Sequence, residues 1–523
     1  MISKHLIPKK FIALIYLFVF AFYNSFAQKP HIILIVTDQQ RYDAVGYIEG
    51  SNIITPNLNQ LAEEGVYFTN AYSSTPSCTP ARAALLTGMS PWGHGMLGYA
   101  KVARQYPFEM PRMLRGLGYY TYGIGKMHWT PQKTLHGFHG TLVDESGRIE
   151  SDGFVSDYRA WFKLKAPGQD PDETGILWNE HNAKTYQLEE HLHPDHWKSE
   201  MAVEFLHNYD LENPLFLKVS FARPHSPYDP PQRFLDMYKD LPIKAPYEGE
   251  WSDKFRKFPK EREAAFGDFG VEHALHSRRH YFALVTFIDE QIGKIIAALK
   301  EKNMYDNSLI LFVSDHGDML GDHHHWRKTY AYEGSSKVPL VIKPPKSFDY
   351  EASLEKLTHP VEIRDILPTF LEAAGGIKPN TMEGKSLLGL LANPNTEEWR
   401  DYIDLEHAST YVFDNYWAAL TDGKEKYIWF FSTGEEQLFN LEKDPGETTN
   451  LISDKVYSER LKLWKSRMIN HLKERGDGFA KDGMLVKRTT NLLLSPNYPD
   501  KEWSNQEGLK FWLEEVNQGF RSN

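Results

Sequence analysis

The segment Cys78-Thr79-Pro80-Ala81-Arg82-Ala83-Ala84-Leu85-Leu86-Thr87-Gly88 contains the only cysteine of the 523-residue chain. A single cysteine cannot form an intramolecular disulfide, and an arbitrary unpaired cysteine is most often a small buried hydrophobic residue. Here, however, Pro80 favours the first turn of a helix, and Thr87-Gly88 favours its end. Cys78 is therefore predicted at a helix N-terminus, where free N–H groups favour an anion. Arg82, four residues later on the same helix face, brings a positive charge beside it.

Four apolar runs elsewhere in the chain each end in a polar or charged motif, and they predict buried parallel strands. Helices are predicted from Thr55-Pro56 to Gly65 and over residues 280–300, where apolar side chains share one face. Alternating strands and helices indicate an α/β sandwich around a large, mostly parallel sheet. Ligands of such sheets collect beyond the carboxyl ends of the strands, so the motifs are expected to converge. The predicted strands cover residues 31–36, 119–124, 215–221 and 309–313.

Past about residue 390 the pattern changes to short strands near residues 402–405, 417–420 and 427–431, with Asp422-Gly423 as a turn. A helix is predicted near residues 459–472. This region predicts a smaller C-terminal subdomain with an antiparallel sheet and one helix. The predicted organisation is a signal peptide (1–27), the main α/β domain (28–392), the C-terminal subdomain (393–485) and a tail that packs on the main domain (486–523).

The first residues have the pattern of a secretory signal. Lys4, Lys9 and Lys10 precede an apolar run over residues 11–22, and Ser25-Phe26-Ala27 is typical of a cleavage site. The run is shorter than the ~20 residues of a membrane-spanning helix, and no cysteine follows it as a lipid attachment site. The sequence therefore predicts a periplasmic or secreted protein, cleaved near Ala27, without a stable membrane anchor and without disulfides.

The charge of the chain argues against nucleic-acid binding. The formal net charge is −11, and it becomes more negative when the three lysines of residues 1–27 are removed. An acidic protein does not attract nucleic acid through a general electrostatic field. An anionic substrate would require cations concentrated in the site itself. The aromatic content of 14% suits contact with carbohydrate.

The cysteine segment closely resembles the signature of the type I sulfatases of the alkaline phosphatase-like superfamily, Cys78-x-Pro80-Ala81-Arg82 followed by Leu86-Thr87-Gly88. The match continues upstream through Thr55-Pro56-Asn57-Leu58 and Gly65-Val66-Tyr67-Phe68-Thr69-Asn70-Ala71-Tyr72. The resemblance implies a sulfuric ester hydrolase with no organic cofactor. It also implies that a sulfatase-maturating enzyme oxidises Cys78 to formylglycine (3-oxoalanine), whose hydrate is the nucleophile.

Two motifs suit a divalent cation. Asp38-Gln39 ends the first predicted strand, and Asp315-His316-Gly317 ends the last. Carboxylate and amide oxygens are ligands for Ca²⁺ or Mg²⁺, whereas the imidazole of His316 suits transition metals better and leaves the metal identity open. Histidines 323–325 are consecutive and cannot all face one ion, so no separate zinc site is expected. The resemblance implies one Ca²⁺, with Mg²⁺ as the alternative, held by Asp38, Gln39, Cys78, Asp315 and His316.

Three further motifs match the family's catalytic residues: Gly125-Lys126-Met127-His128, Pro224-His225-Ser226-Pro227 and Lys328-Thr329. Cleavage of a sulfate ester builds charge on the sulfuryl and bridging oxygens, which preorganised cations stabilise. In the family's mechanism one hydroxyl of the hydrate attacks sulfur, and the second lets the aldehyde reform, which a serine could not do. The resemblance implies sulfate binding by Lys126 and His225, a position near the leaving oxygen for Lys328, and a base role for His128. The implied catalytic set is Cys78, Arg82, Lys126, His128, His225 and Lys328.

The favoured interpretation is an exported sulfatase that acts on a sulfated polysaccharide or oligosaccharide. One alternative is a phosphonate monoester or phosphodiester hydrolase of the same superfamily; the Gly-Lys-x-His and Pro-His-x-Pro motifs favour the sulfatase. A second is a non-catalytic sulfated-glycan-binding protein, against which the intact ligand set argues. Residues that flank the motifs or lie in the C-terminal subdomain are predicted to contact substrate: Arg104, Trp129, His324, Trp326, Arg327 and His407.

Overall fold

A computed structural model describes residues 29–149, 151, 153–257, 261–350 and 355–501. The predicted signal peptide, residues 1–27, and residues 502–523 of the predicted tail lie outside the described residues. None of the helices in the described ranges combines the length and the apolar character that a membrane span requires.

The strands are β1 (His31–Asp38), β2 (Val66–Phe68), β3 (Ala71–Tyr72), β4 (Tyr120–Gly125), β5 (Gly140–Val143), β6 (Leu215–Pro224), β7 (Ser308–Ser314), β8 (Leu340–Lys343), β9 (Lys356–Leu357), β10 (Val361–Glu362), β11 (Ile403–His407), β12 (Trp417–Thr421), β13 (Glu425–Phe430), β14 (Glu436–Asn440), β15 (Ala480–Lys481) and β16 (Met484–Leu485). The α-helices are α1 (Pro56–Glu63), α2 (Cys78–Thr87), α3 (Pro91–His94), α4 (Met110–Gly116), α5 (Asp157–Lys165), α6 (Pro194–Asn208), α7 (Gln232–Asp236), α8 (Val271–Glu301), α9 (Glu333–Ser336), α10 (Ile366–Ala373), α11 (Leu388–Ala392) and α12 (Ser458–Lys473).

The main sheet has the strand order β5-β4-β6-β1-β7-β8-β2-β9. Strands β5, β4, β6, β1 and β7 pair in parallel, whereas β8 is antiparallel to both β7 and β2. The prediction of a mostly parallel sheet is confirmed. Its central strand β1 is apolar at successive positions because helices cover both faces: Leu34 packs in the core that contains α2 and α10, and Ile35 packs in the core that contains α6 and α8.

The C-terminal sheet has the antiparallel order β11-β12-β13-β14, and α12 packs on it through Trp464, Met468 and Leu472. The prediction of an antiparallel sheet with one main helix is confirmed, while the domain boundaries remain predictions. Of the residues after 485, Leu493 and Tyr498 lie in the core of the main domain.

The main sheet positions four of the predicted motifs at one edge. Strands β4, β6, β1 and β7 are neighbours, and their carboxyl ends are in register: Gly125 pairs with Ser220, Asp38 with Pro224, and Thr37 with Ser314. The backbone reinforces this edge, since His225 N–H donates to Asp38 O at 3.0 Å and Asp315 N–H donates to Thr37 O at 3.2 Å. Residues far apart in sequence are thereby brought to one place.

Candidate active site

Helix α2 begins at Cys78 and ends at Thr87. Ser77 has an extended backbone and accepts the N–H of Ala81 at 3.1 Å, so it forms the N-cap. Gly88 ends the helix in the left-handed conformation (φ 67°), which favours glycine. The prediction of a helix N-terminus at the cysteine is confirmed. The Cys78 side chain is completely buried and faces the carboxyl edge of the sheet.

Four side chains there form a cluster that could hold a metal ion. The ligand atoms of Asp38, Cys78, Asp315 and His316 lie within 4.8 Å of one another. His316 Nδ1–H donates to Gly317 O at 2.9 Å, so in the neutral ring the Nε2 lone pair faces Cys78 Sγ at 3.2 Å. A backbone bond that fixes the tautomer in this way is typical of a ligating histidine. The two carboxylates and the oriented imidazole therefore fit a divalent cation.

Gln39, the remaining predicted ligand, has a left-handed backbone (φ 69°). Its Nε2 donates to Asp318 at 2.5 Å, which turns Oε1 towards Lys328 Nζ at 2.8 Å. Its own N–H donates to Asp315 Oδ1 at 3.1 Å. These bonds fix the orientation of the Gln39 amide. Its oxygen can then bind either a cation or Lys328.

Arg82 binds both carboxylates from the helix side. Its Nε donates to Asp315 at 2.9 Å and its Nη2 to Asp38 at 3.2 Å. Its Nη1 donates to Lys126 O at 2.8 Å and to Ser220 Oγ at 3.1 Å. Because the guanidinium is only 1% exposed, these bonds form in a dry environment, where they orient the two acids strongly.

Two lysines bring further positive charge to the cysteine. Lys126 Nζ forms an ion pair with Asp38, and Lys328 Nζ donates to Cys78 Sγ at 3.1 Å. Both are nearly fully buried. Burial and the Asp38 carboxylate would raise the pKa of the Cys78 thiol, but the lysines and His316 lower it to about 6. The site thus stabilises negative charge at residue 78.

Two further histidines of the site, His225 and His128, are held neutral by lowered pKa values. His225 Nδ1–H donates to Ser226 O at 2.9 Å, and its Nε2 accepts from Lys328 Nζ at 2.8 Å. Burial, then the charge of Lys328, holds the pKa of His225 well below its usual value. Burial, then the charge of Arg148, does the same to the pKa of His128. A neutral imidazole can accept a proton, so both rings can act as bases or relays.

The structure brings together Asp38, Gln39, Cys78, Arg82, Lys126, His128, His225, Asp315, His316 and Lys328, all at most 3% exposed. In the described part of the chain, the candidate metal cluster is one group only, and residues 323–325 are not in it. The His323 ring lies 4.6 Å from the ring of Trp251, and the His325 ring lies 4.3 Å from the ring of Tyr330, measured between ring centres.

Four supporting residues were not identified from the sequence. Asp318 accepts from Gln39 and from Tyr228 Oη at 2.6 Å, and Ser220 accepts from Arg82. Glu145 accepts the N–H groups of Met127 at 2.9 Å and His128 at 2.7 Å. Arg148 Nη1 lies 2.9 Å from His128 Nδ1. Asp144 to Arg148 follow β5, a short edge strand that leaves no apolar pattern in the sequence.

Three of the residues predicted to contact substrate are buried among other side chains, and their contact with substrate remains a prediction. Trp129 is 2% exposed and packs against Phe138 in the main core. Trp326, also 2% exposed, stacks on His181. His407 is fully buried and its Nε2 accepts from Ser77 Oγ at 2.8 Å. Sequence proximity to a motif does not show which way a side chain points.

The other three residues predicted to contact substrate are Arg104, His324 and Arg327. Arg104 is exposed and forms an ion pair with Asp500 at 3.0 Å. His324 is 4% exposed. The Arg327 guanidinium lies 4.4 Å from the ring centre of Tyr411. Their contact with substrate remains a prediction.

Comparison with known proteins shows which family the chain belongs to. The family model described as Sulfatase matches residues 30–377, and the one described as N-sulphoglucosamine sulphohydrolase, C-terminal, matches residues 321–474. An arylsulfatase from Clostridium perfringens is 38% identical over 477 residues, which cover 88% of this chain and 98% of that protein.

Two solved structures share the fold. A phosphonate monoester hydrolase from Silicibacter pomeroyi has a TM-score of 0.71 at 23% identity, over 86% of this chain and 96% of its own. A protein solved in complex with its substrate D-glucosamine-2-N,6-O-disulfate has a TM-score of 0.68 at 22% identity, over 86% and 99%. At these identities the likeness concerns the fold alone. The family model over more than half of the chain and the 38%-identical relative show that the chain belongs to the sulfatase family.

Proposed function

We propose that this sulfatase hydrolyses the sulfate esters of a sulfated polysaccharide or oligosaccharide, using formylglycine made from Cys78, and that it acts after export. The observation that carries the proposal is the convergence of Lys328 Nζ, His316 Nε2 and Asp38 Oδ1 on Cys78 Sγ, at 3.1, 3.2 and 3.8 Å. Relatives that act on sulfate esters support the reaction, and the substrate-bound neighbour supports a sulfated sugar.

A metal ion and formylglycine, the oxidised form of residue 78, would supply part of the chemistry. A divalent cation, Ca²⁺ or Mg²⁺, held by Asp38, Gln39, residue 78, Asp315 and His316 would act as a Lewis acid and neutralise charge. Formylglycine at residue 78 would supply a hydrate with one hydroxyl to attack sulfur and a second that permits release of sulfate. Cys78 Sγ marks the position of the attacking oxygen.

The side chains of the protein perform the other tasks. Arg82 fixes the orientation of Asp38 and Asp315, because its guanidinium binds both carboxylates. Lys126 and Lys328 bring positive charge to the sulfuryl oxygens, where negative charge grows in the transition state. Lys328 Nζ also donates towards His225 Nε2, so this pair can deliver a proton to the departing alcohol oxygen.

His128 completes the cycle in this proposal. Burial and Arg148 hold its pKa low, so the ring is neutral at the pH of the reaction and can take up a proton. Glu145 holds the backbone of Met127 and His128 in place. This fits a base that accepts the proton of the second hydroxyl when sulfate leaves.

The decisive experiment combines activity with a direct measurement at residue 78. Protein co-produced with a sulfatase-maturating enzyme is expected to release sulfate from sulfated oligosaccharides, and mass spectrometry is expected to show an aldehyde in the peptide containing residue 78. A Cys78→Ala variant should fold and be inactive. Full activity in that variant would show that the proposed mechanism is wrong.

A phosphonate monoester or phosphodiester hydrolase is the second candidate, and the shared fold supports it. The phosphonate monoester hydrolase neighbour has the same fold. Matched sulfate and phosphorus esters assayed side by side distinguish the two, and faster cleavage of the phosphorus ester would overturn the sulfatase proposal.

A further inference from the structure

A cavity of about 440 Å³ lies between the main domain and the C-terminal sheet. Its volume falls within the ~300–1,000 Å³ that is usual for small-molecule sites. Tyr330 and Tyr332 line it from the main domain, and Asn415 and Phe430 line it from the C-terminal subdomain. Among the residues that the structure describes, those that line the cavity include none of the proposed catalytic or metal-binding set. The proposed reaction therefore leaves this space unused.

The cavity borders the candidate active site through the segment that carries Lys328. The ammonium of Lys328 faces Cys78 Sγ at 3.1 Å, and two residues later Tyr330 lines the cavity. Asn415 also lines it and donates through Nδ2 to Thr329 Oγ1 at 2.9 Å and to Thr329 O at 3.2 Å. One short stretch of chain thus contacts the catalytic centre on one side and the cavity on the other.

The walls of the cavity suit a sugar ring. Tyr330 and Tyr332 are buried and Phe430 is half-buried, and aromatic rings of this kind offer an apolar face to the C–H groups of a sugar. The Nδ2 of the buried Asn415 is bound to Thr329 and Thr410, whereas its Oδ1 accepts no hydrogen bond from the described residues. That oxygen can accept a hydroxyl group of a ligand.

The charged residues of the cavity favour an uncharged occupant. Lys254 and Glu435 line it and form an ion pair of 2.9 Å. Asp414 also lines it, is exposed, and has no ionic partner among the described residues. Burial, then the neighbouring His323, holds the pKa of His325 well below its usual value, so this ring is neutral. The cavity therefore carries one net negative charge, from Asp414, which repels a carboxylate or a sulfate.

We propose that this cavity binds an uncharged sugar unit of the substrate, the neighbour of the sugar that carries the scissile sulfate. The inference rests on the proposed function and narrows it to saccharides in which a sulfated sugar adjoins an uncharged one. Phe430 and the two tyrosines contact the C–H face of the bound ring, and Asn415 accepts one of its hydroxyl groups. Asp414 disfavours an acidic sugar at the same position.

The test compares three substrates built on one sulfated sugar from which the protein releases sulfate. The first is that monosaccharide alone, the second is the same sugar extended by galactose, and the third is the same sugar extended by galacturonic acid. The two extensions differ only at C6, where a hydroxymethyl group is replaced by a carboxylate. The kcat and KM for sulfate release are measured for the wild-type protein, Phe430→Ala and Asp414→Asn.

Each variant has a matched control. Phe348→Ala also removes a half-buried phenyl ring, but Phe348 follows β8, whose last residue pairs near the amino end of β7, away from the site. Asp401→Asn removes an exposed carboxylate of the C-terminal subdomain that does not line the cavity. Both controls should keep the wild-type ratios of kcat/KM between the three substrates.

The wild-type protein is expected to prefer the galactose-extended substrate to the other two. Phe430→Ala should reduce its advantage over the monosaccharide roughly 3- to 10-fold, through KM, because an aromatic contact is lost. The kcat for the monosaccharide should stay unchanged. Asp414→Asn should reduce the discrimination against galacturonic acid roughly 2- to 5-fold, the effect of one exposed charge, and should leave cleavage of the galactose-extended substrate unchanged.

Three results would overturn the inference: no advantage of the galactose-extended substrate in the wild-type protein, a folded Phe430→Ala with the wild-type ratio, or undiminished discrimination against galacturonic acid in Asp414→Asn. In each of these cases sulfate is still released, so the proposed function stands. Absence of sulfate release by the wild-type protein from every sulfated sugar offered would instead overturn the proposed function, and this inference with it.

Discussion

Replacement of Arg82 by lysine tests the arrangement of the site most directly. The guanidinium donates to Asp315, Asp38, Lys126 O and Ser220 Oγ at 2.8–3.2 Å while 1% exposed. Lysine keeps the charge, but its single ammonium cannot span two carboxylates and two deeper acceptors. Losing two bonds to charged groups, at about 1.5–3 kcal/mol each, lowers the free energy of unfolding by about 3–6 kcal/mol.

The activity of Arg82→Lys should fall by more than its loss of stability explains. Without the guanidinium Asp38 and Asp315 lose their fixed orientation, and a displacement of about 1 Å in such a group can cost roughly 100-fold in rate. Arg82→Lys is therefore expected to lose at least that factor in kcat/KM at temperatures where it is folded. Stability is measured by urea unfolding, and folding is checked by circular dichroism.

Arg475→Lys provides the control. Arg475 is also buried and binds one carboxylate, Glu406, through two bonds of 2.6 and 2.8 Å in the C-terminal subdomain. This variant is expected to lose stability and keep kcat/KM. Folded Arg82→Lys with wild-type kcat/KM would refute the conclusion that Arg82 orients the two acids.

Three further predictions concern charge, pH and metal. Lys426→Met should lower the free energy of unfolding by about 3–5 kcal/mol, because Glu447, 2.9 Å from Lys426 Nζ, is left buried without its cation, and Glu333, at 2.8 Å, keeps only its ion pair with Lys337; an unchanged urea midpoint would contradict this. Burial lowers the pKa of His94 to about 3, so the unfolded chain binds the proton first and stability falls as the pH drops from 6.5 towards 3, by roughly 2 kcal/mol at pH 5. His94→Gln should show a shallower fall, and parallel pH curves would exclude the effect. Chelation should abolish sulfate release, and added Ca²⁺ or Mg²⁺ should restore it and raise the melting temperature; a melting temperature indifferent to both ions would argue against the cluster.

The central strands could be predicted because their burial leaves a continuous apolar pattern. Strand β1 is covered by helices on both faces, so its sequence is apolar at every position from Ile32 to Val36. Strand β5 could not be predicted in this way, since it is a short edge strand in which only Val143 is fully buried. The antiparallel edge formed by β8 and β2 likewise depends on long-range pairing that leaves no local signal.

The same distinction applies to the site. Asp38, Lys126, His225 and Asp315 could be placed together from sequence, because strand ends in a parallel sheet share an edge. Arg148 was not identified because β5, the edge strand before it, was not predicted. Asp318 was missed because its role depends on the side chains it meets, Gln39 and Tyr228, which are distant in sequence.

The C-terminal sheet takes part in the site as a support. His407 of β11 keeps its proton on Nδ1, which donates to Ala408 O at 2.6 Å, so its Nε2 can accept from Ser77 directly before the cysteine. Trp417 and Asn415 donate to Thr329 directly after Lys328, each at 2.9 Å. Ser77, directly before Cys78, and Thr329, directly after Lys328, thus both bind side chains of the smaller subdomain. Separation of the two units would remove these contacts of Ser77 and Thr329, so we expect the enzyme to require the C-terminal sheet even though no predicted metal ligand lies in it.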